Sequence, residues 1–159
     1  MMRKNTKKRK KTTASIHRCK YCGASVSIRH SSEISDRLRD SYLYVCSHYP
    51  QCSAYVRIRR GSNIPDGEMA DEAVRQKRKE AHLYFDMLFQ KGLLSRDECY
   101  LWLMNILQIP RPRAHIKYLG IVDCQTVIEK SIETLRCAGI NIPNFNAGGQ
   151  NHDDKRKVG

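Results

Sequence analysis

Between residues 26 and 59 apolar and polar side chains alternate with period two, and beyond residue 68 the spacing becomes that of a helix. Val26-Ser27-Ile28-Arg29, Tyr42-Leu43-Tyr44-Val45 and Tyr55-Val56-Arg57-Ile58-Arg59 each read as a short strand. The alternation predicts Leu43, Val45, Val56 and Ile58 on one face of a small sheet. It puts Tyr42, Tyr44, Tyr55, Arg57 and Arg59 on the other, wet face. The polar stretch HSSEISDRLRD between Arg29 and Ser41 reads as a hairpin loop, and GSNIPDG at 61–67 as a turn-rich linker.

After the linker, Ala70, Ala73, Val74, Lys77, Ala81, Tyr84, Phe85 and Leu88 fall at helical spacing within 68–90, with Gly92 as the stop. Ser95 and Glu98 form a capping box, in which hydroxyl and carboxylate satisfy each other's free amides. That box opens a second helix through Leu107, carrying Tyr100, Leu101, Trp102 and Met104, and Pro110 and Pro112 stop it. His115 to Leu119 reads as a helical turn. Asp123 is expected to cap a last helix to about Cys137, ended by Gly139.

Cysteine spacing adds chemistry to this pattern. Cys19 and Cys22 form C-x2-C and, after a spacer of 23 residues, Cys46 and Cys52 form C-x5-C. A C-x2-C turn brings two thiolates to one tetrahedral ion, and Gly23 permits the left-handed bend that follows. Four thiolates leave no water position, so the pattern specifies one closed, structural Zn²⁺ and a zinc ribbon. A thioredoxin-type dithiol would sit before a helix in a βαβ setting, which is absent. His17 and His48 lie close enough to compete as ligands, but with four cysteines at hand they read as surface groups or partners of the ligands. Cys99, Cys124 and Cys137 are isolated on helices, the usual place of a buried thiol.

The fold class that results is α+β: a small zinc ribbon of short antiparallel strands, then a three-helix module, with disordered tails. The segments are a basic arm at 1–16, the ribbon at 17–61, the helical module at 62–143 and a tail at 144–159.

Charge then divides the 159-residue chain unevenly. Of a formal +13, residues 1–61 hold 15 Lys+Arg and 3 acids, a net +12, and residues 62–159 hold +1. Zinc with four thiolates removes two, leaving the first part at about +10. Seven of its cations lie in the first eleven residues, Arg3, Lys4, Lys7, Lys8, Arg9, Lys10 and Lys11. Such a run is a solubilising tail or a phosphate-seeking arm whose affinity comes from counterion release. The basic, aromatic segment behind it favours the arm. Arg29, Tyr42, Tyr44, Tyr55, Arg57, Arg59 and Arg60 extend the arm as nucleic-acid contacts, since rings stack on unpaired bases and guanidiniums hold phosphate. No apolar run approaches a membrane span, and the opening MMRKNTKKRKKTTAS has no apolar stretch behind its charges. Seven cysteines without an export signal fit a reducing, cytoplasmic setting. A short chain in two parts also has little core for a large catalytic cleft.

The ribbon, CKYCGASVSIR…SYLYVCSHYPQCSAYV, resembles the C-terminal zinc-finger repeat of type IA topoisomerases. Cys19, Cys22, Gly23, Cys46, Ser47, Tyr49, Pro50 and Cys52 match its C-x2-C-G and C-S-x-Y-P-x-C. The resemblance implies zinc binding and contact with single-stranded DNA, or in some members with RNA polymerase. The longer spacer, the single repeat and the lack of a topoisomerase core mean that the topoisomerase reaction is not implied. Residues 17–135 as a whole resemble an uncharacterised zinc-finger-containing domain family of bacteria and phages. Its features R-x2-R-x3-H-x2-F-D, S-R-x3-Y-x-W-L and H-I-x6-D fall on Arg75, Arg78, His82, Phe85 and Asp86, on Ser95, Arg96, Tyr100, Trp102 and Leu103, and on His115, Ile116 and Asp123.

Arg75, Arg78 and His82 share a helix face, with Asp86 one turn on. With Trp102 and His115 they form a docking or partner face; His82 and Asp86, joined by His115, are also an acid–base candidate. Caps, ion pairs and interhelical hydrogen bonds account for these groups without catalysis. The expected function is therefore a zinc-ribbon accessory that grips single-stranded DNA or RNA and catalyses no reaction. The alternative is a protein-binding adaptor that activates or inhibits a nucleic-acid machine such as RNA polymerase, a replication complex or a CRISPR effector. A zinc nuclease fits poorly, because four thiolates leave the metal no open position.

Overall fold

A computed structural model of the chain describes residues 15–145. The expectations for Lys7, Lys8, Arg9, Lys10 and Lys11, and for the tail beyond Phe145, fall outside the described residues. Within them the order is β1 (Val26–His30), β2 (Tyr42–Cys46), β3 (Tyr55–Arg57), α1 (Glu72–Gln90), α2 (Arg96–Leu107) and α3 (Ile121–Cys137), with short 3-10 turns between. The fold is α+β, as the two periodicities require. None of the described helices is long and apolar enough to cross a membrane. The chain divides into two compact units, Met1–Asp71 and Glu72–Gly159.

The first unit is an antiparallel sheet of order β1-β2-β3. Its register sets Tyr44 opposite Ile28 and Val56, and sets Val45 opposite Ser27 and Tyr55. Directly opposed residues point to the same side of a sheet, so Tyr44 belongs with Val56 and Ile58, and Leu43 with Arg57. This corrects the expected faces. Tyr44 is only 3% exposed; it packs with Cys19, Cys46, Val56, Ile58 and Met69, and its hydroxyl donates to the Asn63 carbonyl at 2.7 Å. The physical reason lies in YLYVC itself. Every position there is apolar or aromatic, and this central strand is buried from Leu43 to Cys46, so alternation alone could not say which tyrosine faced inward.

A clear test follows. Tyr44→Phe should cost about 1 kcal/mol through the lost hydrogen bond, and Tyr44→Ala about 3–5 kcal/mol through the cavity. Tyr42, which is 60% exposed, should tolerate alanine within about 0.5 kcal/mol. Denaturant midpoints of the zinc-loaded protein decide the matter, and equal costs at the two tyrosines would contradict the register.

The turn-rich segment after Gly61 belongs with the sheet. Ile58 bridges to Pro65 and Tyr55 to Ala70, and Met69 enters the core. The helix expected from residue 68 therefore starts at Glu72. With the division at Asp71, the first unit holds 15 Lys+Arg and 6 acids, a net +9, and the second 14 and 10, a net +4.

The second unit packs α1 chiefly against α3, with α2 closing the bundle. Ala81, Tyr84, Leu103, Ile116, Cys124, Val127 and Ile128 form one core; Met87, Leu88, Cys99 and Leu135 form a second. Ser95 and Glu98 make the reciprocal capping box at α2. The helix ends before its prolines: Gln108 turns left-handed at φ 52, and its amide bonds back to Met104. Asp123 does not cap α3. Gly120 takes that position, and Asp123 sits in the first turn, where its charge complements the helix dipole. Phe145, read as part of the tail, packs on the first core.

Candidate functional site

Two backbone turns build the metal centre. In the first, the amide of Gly23 bonds the Cys19 carbonyl at 2.9 Å, and Gly23 adopts φ 74, a region costly for any residue with a Cβ. Arg18 and Ser25 bridge across its base. In the second, Cys46 ends β2 and the amide of Cys52 bonds the His48 carbonyl at 3.0 Å; its Tyr49–Pro50 peptide is cis.

The four sulfurs lie within 4.8 Å of one another. Cys19 and Cys52 sulfurs are 3.6 Å apart, and those of Cys22 and Cys46 3.4 Å. Tetrahedral zinc with bonds of about 2.3 Å needs sulfurs roughly 3.8 Å apart, so the cage matches in size and donor type. Electrostatics agree. Burial raises the Cys19 thiol, but the amides of Cys22 and Tyr21 and the neighbouring sulfurs more than offset it and leave it below its ordinary value. Burial pushes the Cys46 thiol up to about 12, against the opposing amide of His48. It raises Cys52 as well, against the amide of Ala54. An ion displaces the protons from these thiols, and amides aimed at sulfur then share the thiolate charge. His17 and His48 are exposed, and neither joins the cluster.

The remaining expected contacts are spread over the ribbon. Arg57, Arg59 and Arg60 are exposed and Tyr55 is half-buried. Tyr42 stands edge-on to His30 at 5.3 Å, and Arg29 is paired with Glu33 at 3.2 Å. Tyr44, in the core, is not available to a ligand.

In the helical unit, Arg75 pairs with Glu72 at 2.6 Å, and Arg78 donates to the Leu119 carbonyl at 2.9 Å, tying α1 to the segment before α3. His82 and Asp86 lie 3.7 Å apart, each more than half exposed. Trp102 is tilted against Phe85 at 5.9 Å and packs on both cores. Burial holds the Cys124 thiol up at about 11 and also raises Cys99, so both behave as small apolar groups.

The sequence singled out His82, Asp86 and His115 together, but not the cleft around them or Phe89. His82 and Asp86, one turn apart on α1, and His115, from the segment before α3, line one cleft of about 440 Å³ together with Phe89, Arg96 and Tyr100. The Arg96 guanidinium lies over the Phe89 ring at 4.8 Å and that of Arg111 over Tyr100 at 5.6 Å. The basic, aromatic run PRPRAHIKY at 110–118 was the signal available.

The fold and the four-thiol cage define a zinc-binding module of the ribbon type joined to a helical unit. A model of the zinc-finger-containing domain family matches residues 15–134, and the chain belongs to that family. Searches of curated proteins and of solved structures returned no match.

Proposed function

We propose that this protein is a nucleic-acid-binding accessory that holds single-stranded DNA or RNA and catalyses no reaction. The observation that carries the reading is the set of exposed Arg57, Arg59 and Arg60 on the zinc-held sheet, with Tyr55 on the Arg57 face and exposed Tyr42 on the opposite one, in a chain whose first eleven residues hold seven cations. The sheet supplies fixed rings and guanidiniums, and the arm supplies charge. The ribbon's resemblance to type IA topoisomerase zinc fingers supports the same reading. A closed four-thiolate site has no position for substrate, and the exposed His82–Asp86 pair needs no catalytic role.

Replacing Arg57 and Arg59 by glutamine should weaken binding to all sequences alike. It should also flatten the salt dependence by about one unit or slightly more, since each phosphate contact to a single strand contributes about 0.7. Replacing Tyr42 and Tyr55 should instead reduce the preference for single strands over duplex, because only unpaired bases offer a free ring face. Fluorescence anisotropy at several salt concentrations reads both effects. Zinc-loaded variants that bind as the parent does would sink the reading.

A second reading, an adaptor of a larger nucleic-acid machine, is favoured by apolar side chains left exposed at Leu101, Ile121 and Val122. Under it, charge substitutions at these three positions would abolish nuclease-resistant association with one machine and leave oligonucleotide binding intact.

A further inference from the structure

The cleft of the helical unit is concave, aromatic and polar at once. Its volume of about 440 Å³ suits a ligand of nucleotide size. Phe89 is 41% exposed although apolar, and it sits under the Arg96 guanidinium. Tyr100 lies under Arg111 and edge-on to His115 at 5.1 Å. Arg111 meets Asp97 at 3.6 Å, a pair with side chains 58% and 88% exposed, which is weak enough for a phosphate to replace. Exposed groups at the rim carry the complementary pattern: Asp86 accepts, Gln90 both donates and accepts, and both line the cleft. Burial, with Lys117 and Arg111 nearby, lowers the His115 pKa, so at neutral pH its ring carries one donor and one acceptor.

We infer that this cleft binds one unpaired nucleotide of a single strand, its base against Phe89 and Tyr100 and its phosphate on Arg96 and Arg111. A base is the ligand that uses every feature together: a flat face for the rings, in-plane donors and acceptors for Asp86, Gln90 and His115, and an adjacent anion for the guanidiniums. An acidic peptide would use the cations and leave the aromatic wall and the Asp86 carboxylate unmatched. A metal ion is not favoured, since the four cysteines are the group of ligands brought together among the described residues. The unit's net charge of +4 makes this a contact of short range. The inference extends the nucleic-acid reading to a second, separate site.

The test uses the full zinc-loaded chain and a mixed-sequence single strand carrying 5-iodouracil. After irradiation, the adducts are mapped by mass spectrometry of the peptides. Adducts on Phe89, Tyr100 or His115 are expected. The exposed pair Arg96→Gln with Arg111→Gln should lose about three- to tenfold in single-strand affinity, with duplex affinity unchanged. Adducts confined to residues before Glu72, or an affinity unchanged in the double variant, would overturn the inference and leave the ribbon reading intact. A full chain that binds no single strand at all would remove both.

Discussion

Removing the zinc, or replacing Cys22 by serine, should unfold the sheet unit completely. Metal-coupled folding contributes on the order of 10 kcal/mol in small zinc modules, and the alternative core is small. Apart from the cysteines its buried cluster is Tyr44, Ala54, Val56, Ile58 and Met69, with Ile16, Ala24 and Val26 partly buried against it and Leu43 and Val45 buried beside it in β2. Cys22 is exposed, so its substitution by serine removes a ligand without opening a cavity, and any loss reports on the metal. Loss of the β-sheet signature in the circular dichroism spectrum, with helical signal retained, is the expected outcome. Retained sheet structure in a zinc-free protein would show that the apolar contacts suffice. The helical unit should be indifferent to chelation, because its two cores contain none of the four ligands.

The second large effect concerns the arm. Changing Lys7, Lys8, Arg9, Lys10 and Lys11 to glutamine removes five of the 29 Lys+Arg. Each phosphate contact to a single strand contributes about 0.7 to the slope of log affinity against log salt. If all five engage phosphate, the slope should drop by roughly 3 to 4 units and low-salt affinity should fall by orders of magnitude. The contrast with the Arg57 and Arg59 variant separates the charge of the run from contacts made by the sheet. A slope that does not change would mean that the run is only a solubilising tail.

How the sheet was misread shows where sequence pattern loses its information. Period two located all three strands, because Ser27, Arg29, Arg57 and Arg59 interrupt the apolar residues of the two outer strands. The central strand YLYVC contains no such interruption, and its phase relative to β3 is set by pairing. The bond from the Ile58 amide to the Tyr42 carbonyl, 2.8 Å long, fixes that phase, and no local propensity encodes it. Similarly, nothing in GSNIPDG announces that the next residues bridge back to β3, since such pairing is tertiary. The metal ligands were legible for the opposite reason: two thiolates on one turn are a local constraint, and their pairing into one cage needs only a hairpin between them. Ser95 and Glu98 were legible too, since a capping box closes within four residues. His82, Asp86 and His115 could be grouped from the sequence, but the cleft with Phe89, Arg96 and Tyr100 around them could not, because it exists only once α1, α2 and the segment before α3 have packed.

The central claim, a zinc-built module that grips single strands, is tested most directly by native mass spectrometry of the full chain with a single strand of about ten nucleotides. A species with the mass of one chain, one zinc and one strand is predicted. The strand-bound fraction should fall several-fold, without vanishing, when the metal-free chain is sprayed at the same moderate ionic strength, since the charges of the arm and of the helical unit do not depend on the metal. A zinc-free chain that retains the strand equally well, or a zinc-loaded chain that retains none, would contradict the account.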